Sequence, residues 1–130
     1  MAISITPLGE SLGAEIGNVD LTAPLDQATL AEIKQVLIEK QVAIISEVPT
    51  DVKVLVDFGR HFGIFRPHIL SQYHHPEAHE VAVISNNPET GLARTTSRPA
   101  GSFWHTDLTY ERKPCDVSFL YSVEVPDEGG

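Results

Sequence analysis

A chain of 130 residues, 42% hydrophobic and 21% charged, has ordinary globular composition and about one domain's length, which excludes disordered, collagenous and membrane-spanning classes. Nine basic residues against eighteen acidic ones give a formal charge of −9, a field that repels phosphate backbones and anionic lipid, so neither nucleic acid nor a membrane surface is an expected partner. The one cysteine, Cys115, suits a reducing compartment, and the N-terminus (MAISITPLGESLGAEIG) lacks the basic and long apolar segments of a leader; the expected location is cytoplasmic.

Ile3 and Ile5 stand two apart, and Ala14-Glu15-Ile16 follows a Gly-Glu-Ser turn, which predicts an opening β-hairpin. From Asp26 to Lys40, Leu30, Ile33, Val36 and Leu37 recur at helical spacing behind Pro24, predicting a helix with one buried face. Val42-Ala43-Ile44-Ile45 lacks polar alternation and reads as a strand covered on both faces. A second helix is expected after Thr50 as N-cap, with Leu55, Phe58, Gly59 and Phe62 on one side and Gly63 as its stop.

Between Ile64 and His79 periodicity gives way to prolines and histidines, the pattern of an irregular loop of a length that often carries function. Glu80–Ser85 reads as a strand, residues 86–101 as a turn-rich excursion, and Ser102–Asp107 as extended chain. Ser118–Val125 is the cleanest strand: Phe119, Tyr121, Val123 and Val125 alternate with Ser118, Leu120, Ser122 and Glu124, so one face turns inward. No repeat or low-complexity segment interrupts this order.

Three groups of residues are suited to chemistry. His105-Thr106-Asp107 sets an imidazole and a carboxylate at i and i+2, where an extended chain points both to one side and lets them grip one metal ion. His68 stands in the loop after Gly63. His74, His75 and His79 form a patch in which helical spacing would bring His75 and His79 together as zinc ligands, although Pro76 opposes a helix there and plain surface histidines are the simpler reading.

The His-x-Asp triplet alone is a weak pattern, but its surroundings are specific. Phe103-Trp104-His105-Thr106-Asp107-Leu108-Thr109-Tyr110, then Pro114, the alternating segment and Pro126-x-x-Gly129-Gly130, resembles the taurine dioxygenase / 2,4-dichlorophenoxyacetate dioxygenase (TauD/TfdA-like) family of Fe(II)- and 2-oxoglutarate-dependent oxygenases. Gly13-Ala14-Glu15-Ile16, Val42–Ile45 and Phe58-Gly59-Arg60-His61-Phe62-Gly63 extend the resemblance upstream in the family's order.

The resemblance implies an α+β fold: a double-stranded β-helix, or jelly roll, incomplete in this chain, with two N-terminal helices packed on the sheet. It implies His105 and Asp107 as catalytic metal ligands and His68 and Leu108 as substrate contacts. Iron(II), 2-oxoglutarate, O2 and a small, anionic organic substrate are the implied cofactors and partners, with succinate and CO2 released. Gly101 replaces an Asn of the taurine enzymes, and Arg94 and Arg98 stand in a loop of different length, which opens the substrate to sulfonates, alkyl sulfates and aryloxy acids.

In the family the third ligand, a distal His, and the Arg that pairs with 2-oxoglutarate come after the point where this sequence stops. An eight-stranded jelly roll also needs about 80 residues, whereas residues 80–130 offer about three strands. The expectation is therefore a single partial domain over 1–130, the N-terminal half of an oxygenase domain, inactive by itself and open to homo-oligomerisation along unpaired strand edges. Two other readings stay open: a non-catalytic jelly-roll binding module, and a metal-binding protein using His74, His75 and His79.

Overall fold

A computed structural model describes residues 2–85, 103–125 and 127–128 of the chain. The excursion with Arg94, Arg98 and Gly101, and Pro126, Gly129 and Gly130, lie outside the described residues. The chain divides into two compact units, Met1–Val54 and Leu55–Gly130. The described residues hold two α-helices and two small sheets, an α+β composition.

In the first unit, β1 (Ser4–Pro7) and β2 (Ala14–Gly17) form the expected antiparallel hairpin, with Ile5 opposite Ile16. Leu8 N–H closes it on the Gly13 carbonyl at 3.0 Å, and Gly13 takes φ +81°, a conformation that penalises any Cβ. Helix α1 (Gln27–Lys40) then crosses to β3 (Ala43–Ile45), which pairs with β2 in parallel and leaves β2 central. Ala14 and Ile16 of β2 and Ile33 and Val36 of α1 are buried where the helix packs on the sheet.

The run Val42–Ile45 is not covered on both faces. Register pairs Ile44 with Glu15, so Ile44 lies on the face away from α1 and is exposed, as is Val42. An edge strand of a small sheet with one helix has only one covered face, and an apolar run alone does not distinguish this from full burial.

Asp26 caps α1: its Oδ1 accepts the Thr29 N–H at 2.8 Å. That backbone bond, reinforced by the Thr29 hydroxyl, holds the Asp26 carboxyl below its ordinary value. A depressed carboxyl contributes its stabilisation above the unfolded-state value and loses it as pH falls through the folded one. Asp26→Ala therefore lowers the melting temperature by a few degrees at neutral pH, Asp26→Asn keeps most of the cap at every pH, and the gap between wild type and Asp26→Ala closes in acid below the ordinary aspartate value of 3.8. Thermal melts of the three chains from pH 7 to pH 2.5 check this; a gap that persists in acid contradicts it. At the other end Gln41 adopts φ 63° and offsets it by donating its side-chain amide to the Ile38 carbonyl at 2.6 Å.

Helix α2 (Val52–Arg60) starts one residue later than the Thr50 cap implies, because Asp51 Oδ1 accepts the Lys53 N–H at 2.8 Å and takes the capping role. It buries Phe58 and Gly59 as expected, and Val56 as well. Its last turn tightens through Phe62 N–H to Gly59 O, and Gly63 ends it at φ +147°, a region essentially restricted to glycine.

The Phe65 ring lies directly over Gly59, so a β-carbon there would collide with its Cζ and approach Cε1 at 3.1 Å. Gly59→Ala sets a helix-propensity gain of about 1 kcal/mol against an overpacking cost of roughly 1–3 kcal/mol. The expected net effect is a loss of about 1 kcal/mol in urea unfolding, partly recovered when Phe65→Leu is added; a stabilised Gly59→Ala chain would contradict it.

The span Ile64–His79 is more ordered than a loop. A 3-10 turn at Ser71–Tyr73 leads into β4 (His74–His75), which pairs antiparallel with β5 (Ala78–Ala82) around Pro76-Glu77. The strand expected at Glu80–Ser85 thus begins two residues earlier. Residues 118–125 belong to no sheet among the described residues, although burial alternates from half-buried Val117, Phe119 and Tyr121 to exposed Ser118, Leu120 and Ser122. Alternation records which side is covered; a strand also needs a ladder partner.

Candidate metal-binding site

The His-x-Asp pair lies in the second unit. Residues 104–106 have no regular structure, and Asp107–Tyr110 form a turn in which Leu108 takes φ 52° and the Glu111 N–H reaches the Leu108 carbonyl at 2.9 Å. The pair is therefore not carried on a strand, as its spacing suggested. Its side chains converge all the same: His105 Nε2 stands 3.3 Å from Asp107 Oδ1.

The remaining atoms of the pair are engaged in ways that fix this approach. His105 Nδ1 lies 2.8 Å from the Phe103 carbonyl, which can only accept, so Nδ1 carries the proton and Nε2 presents its lone pair in the neutral ring. Asp107 Oδ2 accepts the Ser118 hydroxyl at 2.8 Å. A ligating histidine normally donates its other N–H to a carbonyl or carboxylate in just this manner, which sets tautomer and ring orientation.

The separation suits a shared cation. Adjacent ligands of a metal bound at about 2.1 Å stand roughly 3 Å apart at right angles, so only a slight closing is needed. Both side chains are about half exposed, which leaves the remaining coordination positions open. Among the described residues no third His, Cys, Asp or Glu joins them. Phe103, Trp104 and Tyr110 are exposed around the pair, with Trp104 fully so. Leu108, half-buried, directly follows Asp107.

His68 occupies a second cluster. Its Nδ1 accepts the Leu70 N–H at 3.1 Å, its carbonyl is 2.7 Å from His74 Nε2, and its ring meets Tyr73 edge-on at 5.3 Å. None of these contacts links it to His105 or Asp107. The zinc-like helical spacing of His75 and His79 does not form, since His75 is on β4 and His79 on β5. His75 Nδ1 instead accepts the Glu77 N–H at 3.2 Å, and His79 stacks obliquely 6.0 Å from His74.

Ser118 is the contact that sequence reasoning missed. It stands eleven residues from Asp107, and the only local signal was its position on the polar side of an alternating segment.

The sequence matches, over residues 4–130, the model of the family described as taurine catabolism dioxygenase TauD, TfdA. It is 33% identical to pentalenolactone F synthase of Streptomyces arenae, across 98% of this chain and 44% of that protein. It is 31% identical to the alpha-ketoglutarate-dependent sulfonate dioxygenase of Saccharomyces cerevisiae, across 97% of this chain and 31% of that protein. A crystal structure of a Burkholderia xenovorans protein, provisionally assigned as an alpha-ketoglutarate-dependent taurine dioxygenase, superposes with a TM-score of 0.70 at 31% identity, covering 87% of this chain and 38% of that one. The chain spans less than half the length of these relatives. Enzymes of the family depend on Fe(II) and 2-oxoglutarate, and no helix among the described residues is long and apolar enough to cross a membrane. With the match running through both units and over the His105–Asp107 pair, the chain belongs to the TauD, TfdA family of dioxygenases.

Proposed function

We propose that the chain is the N-terminal part of an Fe(II)- and 2-oxoglutarate-dependent oxygenase whose domain completes a jelly roll, with His105 and Asp107 as two of its three metal ligands. The observation that carries this reading is the 3.3 Å approach of His105 Nε2 to Asp107 Oδ1, with Nδ1 committed to the Phe103 carbonyl. Family membership and the dependence of family enzymes on Fe(II) supply the identity of the metal.

Iron(II) held by His105 and Asp107, together with 2-oxoglutarate, would supply the oxidising chemistry of the family: oxidative decarboxylation to succinate and CO2 coupled to oxygenation of the substrate. The chain's own residues hold and orient. His105 offers a neutral imidazole lone pair, and Asp107 offers one carboxylate oxygen and one unit of compensating negative charge. The left-handed turn at Leu108 redirects the backbone immediately after the second ligand, and the half-buried Leu108 side chain is the apolar contact we assign to the substrate.

The substrate is a small organic anion. Support comes from the yeast relative, named for sulfonates, and from His68, whose Nδ1 accepts a backbone N–H and so leaves the proton on Nε2 as a neutral donor for an anionic oxygen. An anaerobic titration of the chain with Fe(II) and 2-oxoglutarate tests the reading through the metal-to-ligand charge-transfer absorption of the chelate. Appearance of the band supports a site that includes the pair; its absence at saturating concentrations removes metal binding from this chain.

A further inference from the structure

We infer that Ser118 is a positioning residue for the metal site, fixing the Asp107 carboxylate so that only Oδ1 is presented towards His105. The inference rests on the metal-binding reading above and goes beyond it, since Ser118 would not touch the metal.

An aspartate carboxylate has two equivalent oxygens and turns readily about its last bond. Left to itself it can offer a cation either oxygen, or both at once. In this chain the two oxygens are made different: Oδ2 accepts the Ser118 hydroxyl at 2.8 Å and Oδ1 is the one 3.3 Å from His105 Nε2. A hydroxyl donating to an ionised carboxylate is a charge-assisted bond, stronger than its neutral equivalent. With Oδ2 held, Asp107 binds through one oxygen and fills one coordination position, leaving the neighbouring position for other ligands.

The hydroxyl is itself held in place by its neighbour. Phe119 packs edge-on against Phe58 at 6.0 Å and Phe62 at 5.2 Å, and those two rings meet each other at 5.2 Å. Three mutually edge-on rings fix the backbone at 119. Alternation then turns Ser118 to the opposite side, with one short side-chain torsion left to settle. The Phe119-Ser118 pair thus connects the aromatic cluster on the α2 side to the carboxylate.

The test uses the full chain and three variants: Ser118→Ala, Ser118→Thr, which keeps the hydroxyl, and Ser118→Cys, which keeps the volume with a weak donor. Two readouts are taken without turnover: Fe(II) affinity in the presence of 2-oxoglutarate, and the d–d spectrum of the Co(II)-loaded protein. Loss of such an outer partner weakens metal binding by about 10–100-fold. The expected result is a loss of that size and a changed Co(II) spectrum in Ser118→Ala and Ser118→Cys, with both restored in Ser118→Thr and an unchanged thermal melt throughout. Wild-type affinity and spectrum in folded Ser118→Ala, or a Thr variant as defective as the Ala variant, would overturn the positioning role and leave the metal reading standing. A wild-type chain that binds neither metal would overturn metal binding by this chain alone, and the positioning role with it, while membership of the family stands on the sequence match.

Discussion

His105→Ala eliminates the charge-transfer absorption of the chain with Fe(II) and 2-oxoglutarate, and Asp107→Ala does the same. Each removes one of the two donors that the second unit brings within 3.3 Å of each other, and among the described residues there is no third His, Cys, Asp or Glu to replace it. Loss of a partner that merely orients a ligand costs about 10–100-fold in affinity, so loss of a ligand itself costs more than ~100-fold. Asp107→Asn separates charge from shape: it keeps an oxygen for the metal and loses the negative charge, so its affinity falls between wild type and Asp107→Ala.

The same titration separates this site from the histidine patch. His75→Ala with His79→Ala retains the full band, because these rings lie on β4 and β5 and His75 Nδ1 already accepts the Glu77 N–H. A band that survives His105→Ala but disappears in the His75/His79 double variant would move the metal site to the patch. Circular dichroism on every variant ensures that loss of the band reports the site rather than the fold.

What could be read from the letters follows the range over which each feature is determined. The β1–β2 hairpin and both helices depend on contacts within a few residues and on a repeating apolar period, and they appear close to where Ile5, Ile16, Ile33, Val36 and Phe58 put them. The β4–β5 pairing, the one-sided cover of Ile44 and the lack of a ladder partner for 118–125 among the described residues depend on neighbours distant in sequence, which local alternation does not specify. The candidate site divides in the same way. The closeness of His105 and Asp107 was legible because two residues cannot separate far, whereas the Ser118 hydroxyl reaches Asp107 across eleven positions and a turn at Leu108 with positive φ.

Ile33→Ala destabilises the first unit by about 3 kcal/mol, within the 2–5 kcal/mol span of buried Ile-to-Ala truncations. Ile33 is 2% exposed at the packing of α1 on the sheet, and besides Ile16 no other large side chain is so completely enclosed among the described residues. Truncation removes three carbons and leaves a cavity between helix and sheet that β2, hydrogen-bonded on both sides, cannot close by moving inward. Ile38, on the same helix and 66% exposed, is the matched comparison: Ile38→Ala changes stability by no more than about 0.5 kcal/mol and in the favourable direction, because alanine is the better helix former. Urea unfolding at 25 °C followed by far-ultraviolet dichroism gives both values, and amide exchange at β2 reports whether the loss is felt in the sheet as well as the helix. Since natural domains keep only about 5–15 kcal/mol in hand, the Ile33 variant loses a large share of its reserve. Equal effects at positions 33 and 38 would mean that α1 does not pack through the face its sequence period assigns to it.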